Sequence, residues 1–343
     1  MKLSDSIVSG RDFTVCSGSR SYVAFLKDVG GTSTFTVKGD ILVGGALTAD
    51  NLLFNEQGST FPARRTRLAV LPGGNVTATR QTWLQSGKDV QVDVYSNATF
   101  MVACPSADCF WGCNVERRPI AIRRGGRFDC RAPLGGSTAV AFRGEGEVRL
   151  ADTGSKATAD YPVTLDGVTF AVDAFASGHP LVFKGSPTWA SKADWTYTLA
   201  PVLMSAGETL TVDTGDLDDV AVGHSVAINT PVTTDRLVKK GVGTLTLGSS
   251  GNAIGVLDVS AGALRLGAAQ TVGSVAFAEG ATLEIAEGLA AAGVWTTVLT
   301  LPKDADATVL PDLGQNYRVR LVETDTAIQL QAKPVSGTIL LLR

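Results

Sequence analysis

Histidine and charge are both scarce here, and each scarcity closes off a class of protein. There are 2 His among 343 residues, and Asp, Glu, Lys and Arg together make up 18%, where a quarter is usual. A chain with so little charge and 44% hydrophobic residues is neither disordered nor built of long solvated helices. The two histidines, His179 and His224, stand beside no Ser/Asp or Cys arrangement that would make a nucleophilic triad. A net charge of −3 excludes a globally basic nucleic-acid binder. No apolar run approaches the roughly 18 residues of a membrane span, the terminal Ile339-Leu340-Leu341-Leu342 included. The first residues, MKLSDSIVSGRDF, contain no apolar core of a secretory signal. The dipeptide Asn-Gly, the strongest short hairpin signal, is absent, which argues against a sandwich of hairpins.

Glycine, by contrast, is abundant: 38 residues, well above a usual share of roughly 7%. The glycines punctuate a recurring phrase of apolar-x-apolar, a Gly corner, then x-apolar-x-apolar. It reads Leu68-Ala69-Val70 with Gly73-Gly74, Ile120-Ala121-Ile122 with Gly125-Gly126, and Val140-Ala141-Phe142 with Gly144 and Gly146. It continues as Val163-Thr164-Leu165 with Gly167, Leu257-Asp258-Val259 with Gly262, and Val275-Ala276-Phe277 with Gly280. Such alternation marks a strand buried on one face, and corners about 20 residues apart match the period of a solenoid. Three short runs per repeat, each pairing with the repeat before and after, predict an all-β fold: a single-stranded parallel β-helix over 1–292. Two stretches interrupt the phrase, near 102–131 and 183–199, and are expected to project as loop insertions. From 293 to 343 the phrase gives way to a C-terminal β cap, a short antiparallel pair at 318–322 and 327–331 joined by Glu323-Thr324-Asp325-Thr326.

The clearest single repeat spans 239–267, KKGVGTLTLGSSGNAIGVLDVSAGALRLG. Runs at 244–247, 256–259 and 263–266 each alternate apolar and polar, separated by a Gly/Ser/Asn turn and by the corner Ser260-Ala261-Gly262. No one run is stable alone, but stacked copies bury a continuous apolar column. The residues Lys240, Gly241, Gly243, Thr244-Leu245-Thr246-Leu247, Asn252 and Gly255 carry a family pattern, which resumes at Val259, Ala261-Gly262 and Leu264-Arg265-Leu266-Gly267. In them the stretch resembles the autotransporter-associated β-strand repeat of bacterial surface proteins. It departs from that pattern at Ala253-Ile254 and Val256-Leu257, where the family has an aromatic, a second Gly and Thr. The resemblance implies a passenger-type parallel β-helix at the cell surface, displayed from the outer membrane or secreted. With no export signal visible, the chain is expected to be a fragment of a longer exported polypeptide.

Four cysteines, Cys104, Cys109, Cys113 and Cys130, share the first interruption. The paired C-x₂-C knuckles of a zinc site are missing. That makes zinc the weakest of three readings, behind two disulfides pinning a large loop, as suits an exported protein, and small buried thiols. Arg117, Arg118, Arg123, Arg124 and Arg127 crowd the same segment, offset only by Glu116 and Asp129. Guanidinium forks suit carboxylates and sulfates, so the cluster is a candidate for an acidic glycan; the alternative is a solvated face. In the second interruption Trp189, Trp195 and Tyr197 offer flat rings for a sugar face, or else fold against the coil. The segment DTGDLDDVAVGH carries Asp213, Asp216, Asp218, Asp219 and His224. In β-helix polysaccharide hydrolases such acids come from successive coils, whereas these lie too close in sequence to flank one glycosidic bond.

The expected protein is thus a non-catalytic bacterial surface or secreted β-helix module, structural or adhesive, meeting an acidic or neutral glycan or a host surface. No metal, cofactor or nucleic-acid partner is expected. The rivals are a carbohydrate-active β-helix enzyme of hydrolase or lyase type and a phage tailspike-like protein.

Overall fold

The computed structural model describes residues 2–3, 7–8, 13–15, 20–27, 34–37, 40–54, 66–84, 90–103, 110–111, 119–131, 140–150, 162–172, 181–198, 201–305 and 317–335. Every regular element among them is a strand. The chain forms two compact units, Met1–Pro187 and Thr188–Arg343. Both are stacks of rungs in which each strand pairs in parallel with its equivalent one rung on, so the fold is the expected parallel β-helix.

In the first unit, one ladder runs through Thr66–Val70, Val90–Val94, Ile120–Ile122, Val140–Gly144, Val163–Asp166 and Leu181–Lys184. A second runs through Asn75–Leu84, Thr99–Val102, Arg127–Cys130, Glu147–Leu150 and Thr169–Val172. Alternation decides which side chains enter the coil. In the second ladder the inward row is Val76, Phe100, Phe128, Val148 and Phe170, all of them buried. Phe128 meets Phe100 edge-on, with ring centroids 5.3 Å apart, and Phe142 from the first ladder at 4.9 Å. Between the ladders the chain turns through a left-handed residue: Gly73 at φ 78°, Asn97 at 54° and Gly125 at 75°. Only Gly adopts this conformation freely, with Asn the next most tolerant. The pairing continues through the corner, because Gly73 N donates to Asn97 O and Asn97 N to Gly125 O.

The second unit is more regular. One face is the five-stranded sheet Trp195–Tyr197, Ser225–Ile228, Thr244–Leu247, Ala263–Leu266 and Thr282–Ile285. Val226, Leu245, Leu264 and Leu283 stack in register there, each 19 residues after the last. The other faces come from the long strands Val232–Lys240, Ala253–Val259 and Gln270–Phe277. Each of these bends where two consecutive residues face outward, at Asp235-Arg236, Gly255-Val256 and Gly273-Ser274. The stack ends when Thr296–Pro302, parallel to Gln270–Phe277, pairs antiparallel with Ala327–Pro334, itself antiparallel to Tyr317–Glu323. This is the expected antiparallel cap.

Within the stretch 183–199, expected to project as a loop, the described residues 183–198 include the strands Thr188–Ser191 and Trp195–Tyr197, which continue the rung pattern. In the first interruption, the segments 104–109 and 112–118 lie outside the described residues, while Ile120–Ile122 and Arg127–Cys130 are ladder strands.

One inward row breaks the apolar rule. Val212, Lys239 and Val259 are in register, and Lys239 is completely buried. Its three ammonium N–H groups are shared among four acceptors: Thr214 Oγ1 at 2.7 Å, Ala261 O at 2.8 Å, Lys240 O at 3.0 Å and Gly241 O. It thereby ties three successive rungs together. A Cβ at Gly262 would lie 2.6 Å from the Lys239 Nζ, so the corner around it has room only for glycine. Burial pushes the Lys239 amine down to about 8, partly offset by the charge of Asp213, so at pH 7 the charged form makes these contacts. Lys239→Met would fill the row but leave buried carbonyls without this donor. The expected loss is about 3 kcal/mol or more of unfolding free energy, read from urea midpoints at pH 7. Lys240→Met, on an exposed side chain, is the control and is expected within about 0.5 kcal/mol of wild type. Equal stability of Lys239→Met and wild type would show that the ammonium adds no net cohesion.

Candidate functional site

The densest group of titratable side chains among the described residues of the second unit lies where Thr209–Asp216 leaves the coil. This strand pairs with Thr188–Ser191, but the register slips between Ala190 and Ser191, setting Ser191 opposite Asp216. The extra length feeds a short excursion, 217–223, closed by the antiparallel bridge of Gly215 with Gly223. Asp216 N donates to Val222 O at 2.8 Å and His224 N to Thr214 O at 2.7 Å. Side chains complete the loop. Asp216 Oδ1 accepts from Asp218 N at 2.7 Å and Asp219 N at 3.1 Å, and Asp219 Oδ1 accepts from Ala221 N at 3.1 Å. Asp213 Oδ1 accepts from Gly215 N at 3.0 Å.

The remaining contacts are one within the loop, from His224, and others from the preceding rung. Asp216 Oδ2 lies 2.9 Å from His224 Nε2, and Asp194 Oδ1 lies 3.8 Å from His224 Nδ1. Asp194 also accepts from Ser225 N at 2.8 Å, and Lys192 pairs with Asp218. Asp194 and Lys192, both from the rung before, are the residues that local sequence reasoning missed. Their only sequence signal is their position between two strands that stack one rung below His224.

The hydrogen bond from His224, with those from the Asp218 and Asp219 N–H groups, holds the Asp216 carboxyl at about 2 against an ordinary 3.8. A carboxylate held ionised in this way is a positioning group. It is the reverse of the raised carboxylic acid that glycosidic general-acid chemistry requires. Among the described residues, no group of three His, Cys, Asp or Glu side chains is placed to hold a metal ion.

The other candidate residues are placed as follows. Arg117, Arg118, Cys104, Cys109 and Cys113 lie outside the described residues. Cys130 is buried in the inward row between Val102 and Leu150. Arg123 and Arg124 are exposed on a corner. Arg124 lies 3.1 Å from Glu145, and Arg127 lies 3.3 Å from Glu147, both acids coming from the next rung. Trp189 and Tyr197 are fully buried, and Trp195 is half-buried. The Trp189 ring centroid is 4.6 Å from that of Trp195 and 5.6 Å from that of Tyr197. The three rings therefore pack on one another, with Trp189 directly in line with Val212.

No family model, curated protein or solved structure matches the chain. The repeat-like, mostly parallel β-solenoid therefore rests on strand register. No helix among the described residues is long and apolar enough to cross a membrane.

The Asp216 shift fixes a pH dependence. The folded carboxyl is held below its unfolded value, so the native state binds fewer protons between the two. The stabilisation is complete above about pH 5 and is lost as pH falls from about 4 through about 2. The stability difference between wild type and Asp216→Asn is therefore expected to shrink as pH falls below about 4. A difference unchanged down to pH 2 would mean that the ionised carboxylate does not hold the loop.

Proposed function

We propose that this chain is a non-catalytic module of a bacterial surface or secreted protein, with a structural or adhesive role outside the cell. The observation that carries this reading is the use made of the acids at 213–219. Asp213 and Asp219 cap turns, Asp216 caps a turn and holds His224, and Asp218 pairs with Lys192. Residues that would supply acid and base chemistry are thus committed to fixing a loop. Arg124, Arg127, Arg143, Arg236 and Arg265 are likewise matched to acids of the neighbouring rung, as on a solvated face. The resemblance of 239–267 to autotransporter-associated repeats supports the surface setting.

The test pairs a glycan array with a reducing-end assay on the same polysaccharides, alongside adhesion to intact host cells. Binding without turnover is the expected result. Release of reducing ends that stops in Asp216→Asn would replace the adhesive reading with a hydrolase. Arg123→Ala with Arg124→Ala is expected to leave binding within about twofold, because exposed ion pairs contribute little.

A further inference from the structure

A groove of about 730 Å³ opens in the second unit, between the coil face and the C-terminal antiparallel strands. Its floor is set by register. Thr233 pairs with Ala253, Ile254 with Val272, and Thr271 with Thr300. The residues Thr233, Ala253, Thr271 and Thr300 therefore form one row across four parallel strands. Two positions further along each strand, a second row reads Asp235, Gly255, Gly273 and Pro302. A Cβ at Gly255 would meet Asp235 O at 2.6 Å, and one at Gly273 would meet Gly255 O at 2.5 Å. Only glycine fits at either place, so the middle of the second row is bare main chain. No Lys, Arg or His lines the groove, and Asp235, its one charged residue, accepts a hydrogen bond from Gly207 N.

We propose that this groove binds an extended, uncharged glycan chain running along the coil axis. The proposal rests on the adhesive reading above and names its ligand. Rungs repeat every ~4.8 Å, close to the advance of one sugar ring in an extended polysaccharide. A chain laid across the strands therefore meets equivalent protein positions at each step. The threonine row offers hydroxyls that both donate and accept, which is what sugar hydroxyls need. The glycine row leaves depth for a ring, and Ala253, Pro302 and the glycine methylenes receive its C–H face. The lack of any cation, with a carboxylate at one end, sets the groove against acidic polysaccharides. Its volume is within the usual range for ligand sites.

The test is calorimetric titration of the intact chain with cellohexaose, maltohexaose and chitohexaose, with hexagalacturonate as the acidic counterpart. Two variants are compared with wild type: Thr233→Val combined with Thr271→Val, and Ala253→Glu. The first removes hydroxyls at constant shape, and the second fills an exposed position without touching the core. Melting curves check that both fold. At least one uncharged hexasaccharide is expected to bind, with each variant about tenfold weaker or more and hexagalacturonate weaker than the uncharged chains. Suppose instead that wild type adheres to glycans or cells but binds no uncharged hexasaccharide, or binds it equally well in both variants. The groove assignment then falls and the adhesive reading stands. Absence of adhesion to every glycan and cell surface removes both.

Discussion

The described strands of both units answer to one constraint: each rung lies flat on the next, with main-chain hydrogen bonds running between equivalent positions. A residue's nearest neighbours are therefore its counterparts in the rungs on either side. Apolar rows satisfy this easily, as Val76, Phe100, Phe128, Val148 and Phe170 do. Charged rows do not, because identical repeats would stack like charges. The chain avoids this by alternating sign. Arg127 faces Glu147, Arg143 faces Asp166, and Arg265 faces Glu284 in direct register. At roughly 0.2–1 kcal/mol each, such pairs add modestly to stability. Their greater effect is on register, since a slip of one residue would move every inward side chain to the wrong face.

Polar groups inside the coil obey the same constraint at higher stakes, because a buried donor or acceptor left unpaired costs more than a made bond returns. Asn252 and Gln270 meet this by bonding along the stack. Asn252 Oδ1 accepts from Val232 N and its Nδ2 donates to Gln270 Oε1, at 2.8 and 2.7 Å, and Gln270 Nε2 reaches Ser249 O and Ala268 O at 2.9 Å each. Lys239 goes further by placing a charge among corner carbonyls, where it acts as an internal cross-link. In both cases the polar group sits at a bend, where the main chain has carbonyls that the strand ladders leave over.

Much of this architecture is legible from sequence because alternation and glycine spacing are local. The left-handed corners at Gly73, Gly125, Gly167, Gly241, Gly262 and Gly280 are those the glycine spacing marks, and the cap strands fall where 318–322 and 327–331 predict. What is not legible depends on the neighbouring rung. Trp189 has the composition of an exposed binding loop, but its row continues into Val212, so the ring points inward. Lys239 and Lys240 are indistinguishable as a dipeptide. The resemblance draws on Lys240, while burial falls on Lys239 because it shares the row of Val212 and Val259. Asp194 reaches His224 although 30 positions separate them, a distance that becomes short only when one rung is laid on another. The acids at 213–219 look compressed for the same reason: the residues that complete the cluster belong to the preceding rung.

The same constraint bears on what kind of function such a chain can carry. A catalytic site needs groups whose pKa values are pulled apart and left free to exchange protons. Here the titratable residues that converge most closely, Asp216, His224 and Asp194, are drawn into one clamp, and the Asp216 carboxyl is held below its ordinary range, ionised at neutral pH. The outward charges are largely matched to neighbours. In the groove beside the cap, by contrast, Thr233, Thr271 and Thr300 share one row and Gly255 and Gly273 leave bare backbone in the next. The glycan proposed for this groove would be a polymer whose repeat is close to that of the rung. Its recognition would come from many weak contacts along the coil axis, each supplied by the corresponding position of one rung.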